Sequence, residues 1–125
     1  AEPAPMAGEV RPYANDFLVL SEAGIHQDFA QDLPETERDV LFATQAPTAI
    51  ASLTGTVSRP AWREKPTWCL IAGQDRAIQP GLERIMAERM GATVAEVAAS
   101  HLVMLSHPDA VADLILQAVN SSALR

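Results

Sequence analysis

Two residues in this chain stand where proton-transfer chemistry is done. Asp75 follows the run Thr67-Trp68-Cys69-Leu70-Ile71-Ala72-Gly73, and His101 comes shortly after Thr93-Val94-Ala95-Glu96-Val97. Both runs read as strands, so each side chain sits just past a carboxyl end, where open α/β sheets place their ligands. One helix and one strand separate them, which brings the two loops side by side. An Asp beside a His fixes the imidazole tautomer and stabilises the imidazolium formed during proton transfer. The competing reading is plainer: Asp75 caps the following helix and His101 is a loop histidine.

The other reactive side chains offer less. Ser100 precedes His101, but adjacent loop residues point apart, so it does not read as a nucleophile. His107 stands at a helix start and reads as a cap or surface residue. His26, near Ile25 and Phe29, reads as structural, with substrate contact as its alternative. Cys69 is mid-strand and reads as a small buried hydrophobe. The three histidines show no paired spacing, and one Asp with one His supplies too few ligands for a metal. Neither a metal nor a cofactor is expected. Phe17, Phe29, Phe42 and Trp62 either line an apolar acyl or alcohol pocket or simply pack.

The elements that must position Asp75 and His101 are legible from residue 66 onward. The first strand is apolar on both alternating faces, as a strand covered by helices should be. Pro80 opens a helix with Leu82, Ile85, Met86 and Met90 on one face and Gly91 as its cap. The last helix starts near Ser106-His107-Pro108 and is expected to bury Val111, Leu114, Ile115 and Ala118. Upstream, residues 1–12 hold Pro3, Pro5, Gly8 and Pro12 and read as an extended tail. Phe17–Leu20 is a possible strand, and Ile25, Phe29 and Leu33 recur at four-residue spacing. Pro34 opens a second helix, with Glu35 and Glu37 at its positive end, that Pro47 ends. A weak helical turn follows within 48–60. Residues 13–60 therefore read as small helices on a rim, and 61–125 as strand-helix-strand-helix.

Such a unit makes parallel strands joined by a right-handed crossover. Two parallel strands alone leave both edges unpaired and need cover on both faces. With no further strand of that type in residues 1–65, the expected class is α/β, incomplete as an independent domain. At 125 residues the chain is one domain or a piece of a larger one. Its 48% hydrophobic and 20% charged residues argue against disorder. A net charge of −7, from 16 acidic against 9 basic residues, disfavours nucleic acid and anionic membranes. No apolar run reaches the roughly 18 residues of a membrane span. A lone cysteine allows no internal disulfide, and no signal peptide is visible, which leans cytoplasmic.

Trp68 to Val119 resembles the C-terminal segment of the α/β-hydrolase superfamily. Gly73-Gln74-Asp75 resembles its acid loop, and Ser100 to Pro108 its histidine loop and final helix start. The form His-x-x-Met-Leu-Ser-x-Pro, from His101 to Pro108, is similar to the branch of small-ester methylesterases and hydroxynitrile lyases. The resemblance implies that 13–60 is a helical cap and that Asp75 and His101 belong to a Ser-Asp-His triad. It also implies small carboxylic esters as substrates, with Phe17, Phe29 and Leu102 contacting them. The lyases carry a Lys immediately after the triad His; Leu102 stands there instead, which favours ester cleavage.

The departure from that family is the nucleophile. Ser21, Ser52, Ser58, Ser100, Ser106, Ser121 and Ser122 all lack the G-x-S-x-G setting. A Ser hydroxyl is a poor nucleophile without a strained elbow and a neighbouring base. In the superfamily the order is Ser, acid, His, so the missing member belongs upstream. The expectation is a split hydrolase, with an N-terminal companion chain supplying G-x-S-x-G and residues 1–12 as the end made by a break in the cap. The chain begins without Met, in keeping with processing or a boundary there. The rival reading is a hydrolase-derived module that binds a ligand or partner without chemistry; hydroxynitrile lyase is a third, on the same fold.

Overall fold

The computed structural model describes residues 3–123. Its C-terminal half follows the expected order. Strand β4 (Trp68–Ala72) leads through a loop to helix α4 (Pro80–Met90), then strand β5 (Thr93–Val97) and helix α6 (Pro108–Ala123). β4 and β5 pair in parallel, with Trp68 opposite Thr93 and Ala72 opposite Val97. Pro at the first helical position and Gly91 at φ 60° bracket α4, and the Gly91 N–H reaches back to Ala87 O and Glu88 O. Glycine takes that left-handed cap without the steric penalty of a Cβ. A short helix α5 (Val103–Ser106) stands between the histidine loop and α6.

The N-terminal half differs from the expected rim of helices. Strands β1 (Val10–Tyr13), β2 (Phe17–Leu20) and β3 (Thr48–Ala49) form an antiparallel sheet in that order. Residues 1–12 are not simply an extended tail: Pro5–Glu9 is a 3-10 helix and β1 follows it. Pro12 is accommodated because β1 is an edge strand, where one N–H is not needed. The hairpin turns at Asn15 and Asp16, φ 52° and 68°, the two residue types that best tolerate that region after glycine. Between the sheet strands lie helix α1 (Glu22–Gly24), a π-helical turn at Ile25–Phe29, and helix α2 (Glu35–Thr44), with α3 (Ile50–Thr54) after β3. The π turn is closed by the Ala30 N–H on Ile25 O at 3.0 Å. A second 3-10 turn at Ala61–Arg63 leads toward β4.

The buried apolar residues come from both halves of the chain. Ile25, Ala30 and Leu33 are buried in the first, and Ile71, Ala72, Ala87, Ala99 and Val103 in the second. The stripe assigned to α4 points the other way. Leu82, Ile85 and Met86 are exposed, at 50%, 63% and 42%, and the helix sets Ala87 in the core instead. On α6, Val111, Leu114 and Ala118 are half-buried as expected, but Ile115 is exposed. Among the described residues β4 and β5 have no further strand beside them. Apolar helix faces left open beside a two-stranded parallel sheet are what an incomplete α/β layer leaves uncovered.

Candidate active site

Asp75 and His101 come together as the strand ends require. Asp75 Oδ2 lies 2.7 Å from His101 Nδ1. The carboxylate's other oxygen, Oδ1, accepts the N–H groups of Ala77 at 2.7 Å and Ile78 at 2.9 Å. This is a side-chain turn within the loop, not a helix cap: α4 starts at Pro80 and its N-cap is Gln79. Local bonds and the ring contact thus use both oxygens. The Asp75 side chain is 1% exposed, that of His101 30%, so the histidine is the member that faces outward.

The electrostatics follow from this geometry. Burial pushes the Asp75 carboxyl up, but the His101 hydrogen bond, the Ile78 and Ala77 N–H groups and the imidazolium charge hold it below its ordinary value. The same hydrogen bond to Asp75 raises His101 above its ordinary value, against the opposing effect of burial. A third carboxylate sits close by. Glu83 Oε2, on α4, accepts the Ala72 N–H at 3.1 Å. Burial first and the Asp75 charge second raise the Glu83 pKa. No sequence spacing singled out Glu83, although the i+8 relation to Asp75 across a helix start is visible afterwards.

Of the three expected contact residues, only Phe29 is placed against the pair. Its ring lies 4.9 Å from the His101 ring at 33°. Phe29 also lines an apolar cavity of about 240 Å³ with Val10, Leu18, Leu20, Ile25 and Leu53. Gln45 reaches that cavity too, but its amide is spent on the Leu20 backbone, donating to O at 3.0 Å and accepting from N at 2.8 Å. Phe17 is 39% exposed on β2, paired with Ala49, and is not among the cavity's lining residues. Leu102 is half-buried directly after His101 and opens α5.

Ser100 is buried completely, and its N–H donates to Asp32 Oδ2 at 2.8 Å. His107 Nδ1 contacts the Ser106 hydroxyl at 2.9 Å, close to the start of α6. Cys69 is a free thiol, half-buried, and burial raises its pKa. Glu22, His26 and Asp39 bring one possible ligand atom each within 4.8 Å. Sequence spacing hid that group because Asp39 comes from a separate helix. His26 Nε2 and Asp39 Oδ1 lie 3.2 Å apart. No helix among the described residues is long and apolar enough to cross a membrane.

Comparison with known proteins bears on the fold and the family. Among curated proteins nothing matches the chain. Several solved structures share its fold. One is polyneuridine aldehyde esterase, at TM-score 0.77 and 17% identity, covering 94% of this chain and 51% of that one. Another is a mutant of the same esterase, at TM-score 0.76 and 16% identity, covering 92% and 50%. The chain therefore spans about half the length of the structures it matches. The model of the alpha/beta hydrolase family matches residues 1–114, nearly the whole chain. By fold and by sequence, then, this chain belongs to the alpha/beta hydrolase family.

Proposed function

We propose that this chain carries the acid and the base of a serine hydrolase that cleaves small carboxylic esters. The Asp75–His101 contact at 2.7 Å, at the carboxyl ends of neighbouring parallel strands, carries the reading. In this account a Ser outside these 125 residues, in a G-x-S-x-G setting on an N-terminal companion, is the nucleophile. His101 takes its proton through Nε2 as the hydroxyl attacks the ester carbonyl, and the C–O bond to the alcohol breaks as the imidazolium returns that proton. Water then attacks the acyl-serine, again with His101 as base, and releases the carboxylic acid. Asp75 holds Nδ1–H and stabilises the imidazolium without itself taking the proton. The oxyanion donors come from the companion, since in this fold they belong to the elbow and an earlier loop.

Segment 13–60 acts as the cap over that site, and Phe29 is its contact with the reacting histidine. The apolar Leu102 after His101 supports ester cleavage over elimination of cyanide. The matched structures are of an esterase, which points the same way. A lone thiol, Cys69, suits a reducing compartment such as the cytoplasm.

The test is His101→Ala in the assembled protein. Loss of ester turnover with assembly intact supports this reading; turnover retained at the wild-type rate removes it. A cyanohydrin offered beside the ester separates the lyase alternative, and assembly with no turnover of either leaves a binding module.

A further inference from the structure

The five residues that begin at the end of the π turn touch both loops of the site. Asp28 is buried, and its Oδ1 accepts from Arg76 Nε at 2.6 Å. Gln31 Nε2 donates to Gln74 O at 2.8 Å. The residues on either side of Asp75 are therefore both held by one short segment. Asp32 Oδ2 accepts the N–H of Ser100, the residue before His101, at 2.8 Å. Although burial opposes it, hydrogen bonding with Ser100 keeps the Asp32 carboxyl below its ordinary value. Asp32 thus holds the residue that precedes His101. Between these ties, the Phe29 ring lies against the imidazole.

None of the three polar residues bonds to Asp75 or His101 themselves; each bonds to a neighbour. That pattern sets position without changing the chemistry of the pair. It is also what the pair needs. β4 and β5 fix where the strands end, but His101 lies four residues beyond Val97, in a loop. A reacting pair must be held to within about 0.5 Å, and loops alone do this poorly. The π turn supplies the placement: its wide Ile25–Ala30 closure ends the helix so that consecutive residues 28–32 leave toward different partners.

We propose that residues 28–32 are a clamp that sets the two loops relative to one another, with Asp28, Gln31 and Asp32 as positioning residues for Asp75 and His101. Its functional side rests on the hydrolase reading above, but its structural side does not. The clamp also joins the pair to the apolar cavity, because Phe29 and the Ile25 of the same turn line it.

The experiment uses the assembled protein and two readouts. One is the low-field proton resonance of the His101 Nδ1–H···Asp75 bond at a pH where the imidazole is protonated. The other is kcat and KM for a small ester. Wild type and Asp32→Asn, whose side-chain oxygen still accepts the Ser100 N–H, are expected to show the resonance. Asp32→Ala is expected to lose or shift it and to lower kcat by about 10²-fold with little change in KM. Gln31→Ala removes one hydrogen bond at the surface, keeps the fold, and is expected to give the same pattern more weakly. It decides the matter if Asp32→Ala does not fold. A resonance and kcat unchanged in Asp32→Ala, or in Gln31→Ala where that variant decides, would overturn the clamp, as would Asp32→Asn behaving like Asp32→Ala. A wild-type protein without the resonance also overturns it. If the resonance follows the expected pattern but no ester is turned over, the clamp stands and the ester reading falls.

Discussion

The Phe29 ring lies 4.9 Å from the imidazole of His101 and lines the apolar cavity as well. One side chain therefore touches both the imidazole and the apolar cavity, where under the proposed function an apolar group of the ester would sit. The cavity's one amide, Gln45, is already bonded to Leu20, so the space favours hydrocarbon over polar groups. Phe29→Ala is expected to enlarge the cavity and to cost about 2 kcal/mol in stability, a modest figure because Phe29 is only half-buried. Ester series with acyl or alcohol groups of increasing bulk check this. The variant should gain relative kcat/KM on the bulkier members.

The raised His101 and the lowered Asp75 set opposite trends for activity and stability. General-base catalysis needs neutral imidazole, so activity should rise with pH through a value above the ordinary 6.5. Stability runs the other way. His101 contributes fully below its unfolded value and loses the contribution as pH rises through its folded one. Asp75 contributes above its unfolded 3.8 and loses the contribution as pH falls through its lower folded value. The pair should stabilise most between these two unfolded values. Thermal midpoints and ester rates measured on one pH series should thus peak apart, the rate at the higher pH.

Asp75→Asn removes the charge and keeps the shape. The Ala77 and Ile78 N–H groups retain an acceptor, so the loop should stay folded. The rate is expected to fall by roughly 10⁴-fold, as when the equivalent group loses its charge in serine proteases. The acidic limb of the rate profile should move toward the ordinary histidine value. Steady-state kinetics across pH check both.

Glu83 is a carboxylate held beside another carboxylate. Its raised pKa means that ionisation costs folding stability above the ordinary 4.5, and more so above the raised folded value. Glu83→Gln keeps the acceptor for the Ala72 N–H and removes that cost. The thermal midpoint should therefore gain more at pH 8 than at pH 4. Equal gains at both would mean that charge is not the cause.

The helix end at Gly91 gives a purely conformational check. A Cβ there meets nothing within 4 Å, so only the φ of 60° resists substitution. Gly91→Ala should cost about 1 kcal/mol with no loss of ester turnover at saturating substrate. Denaturant unfolding beside a rate assay separates the two.

The strands β4 and β5, the helix start at Pro80 and the Gly91 cap were legible because their signals are local: apolar runs, a first-turn proline, a terminal glycine. Asp75 and His101 were legible for the same reason, as polar residues just past two such runs. The N-terminal hairpin was hidden by Pro12, which looks like a strand breaker and is harmless at an edge. Its turn residues, Asn15 and Asp16, were a signal that went unused. The outward face of α4 misled because periodicity identifies an apolar stripe but not what covers it. Asp28, Gln31 and Asp32 gave no signal, since their partners lie 48, 43 and 68 residues away. Such tertiary ties have no period.

The central claim is that His101 and Asp75 activate a serine elsewhere in the assembled protein. Fluorophosphonate labelling, followed by intact mass and peptide mapping, addresses it most directly. The account predicts one label, on a serine outside these 125 residues, and its loss in His101→Ala. A label on a serine within this chain, or ester turnover with no label at all, would contradict it.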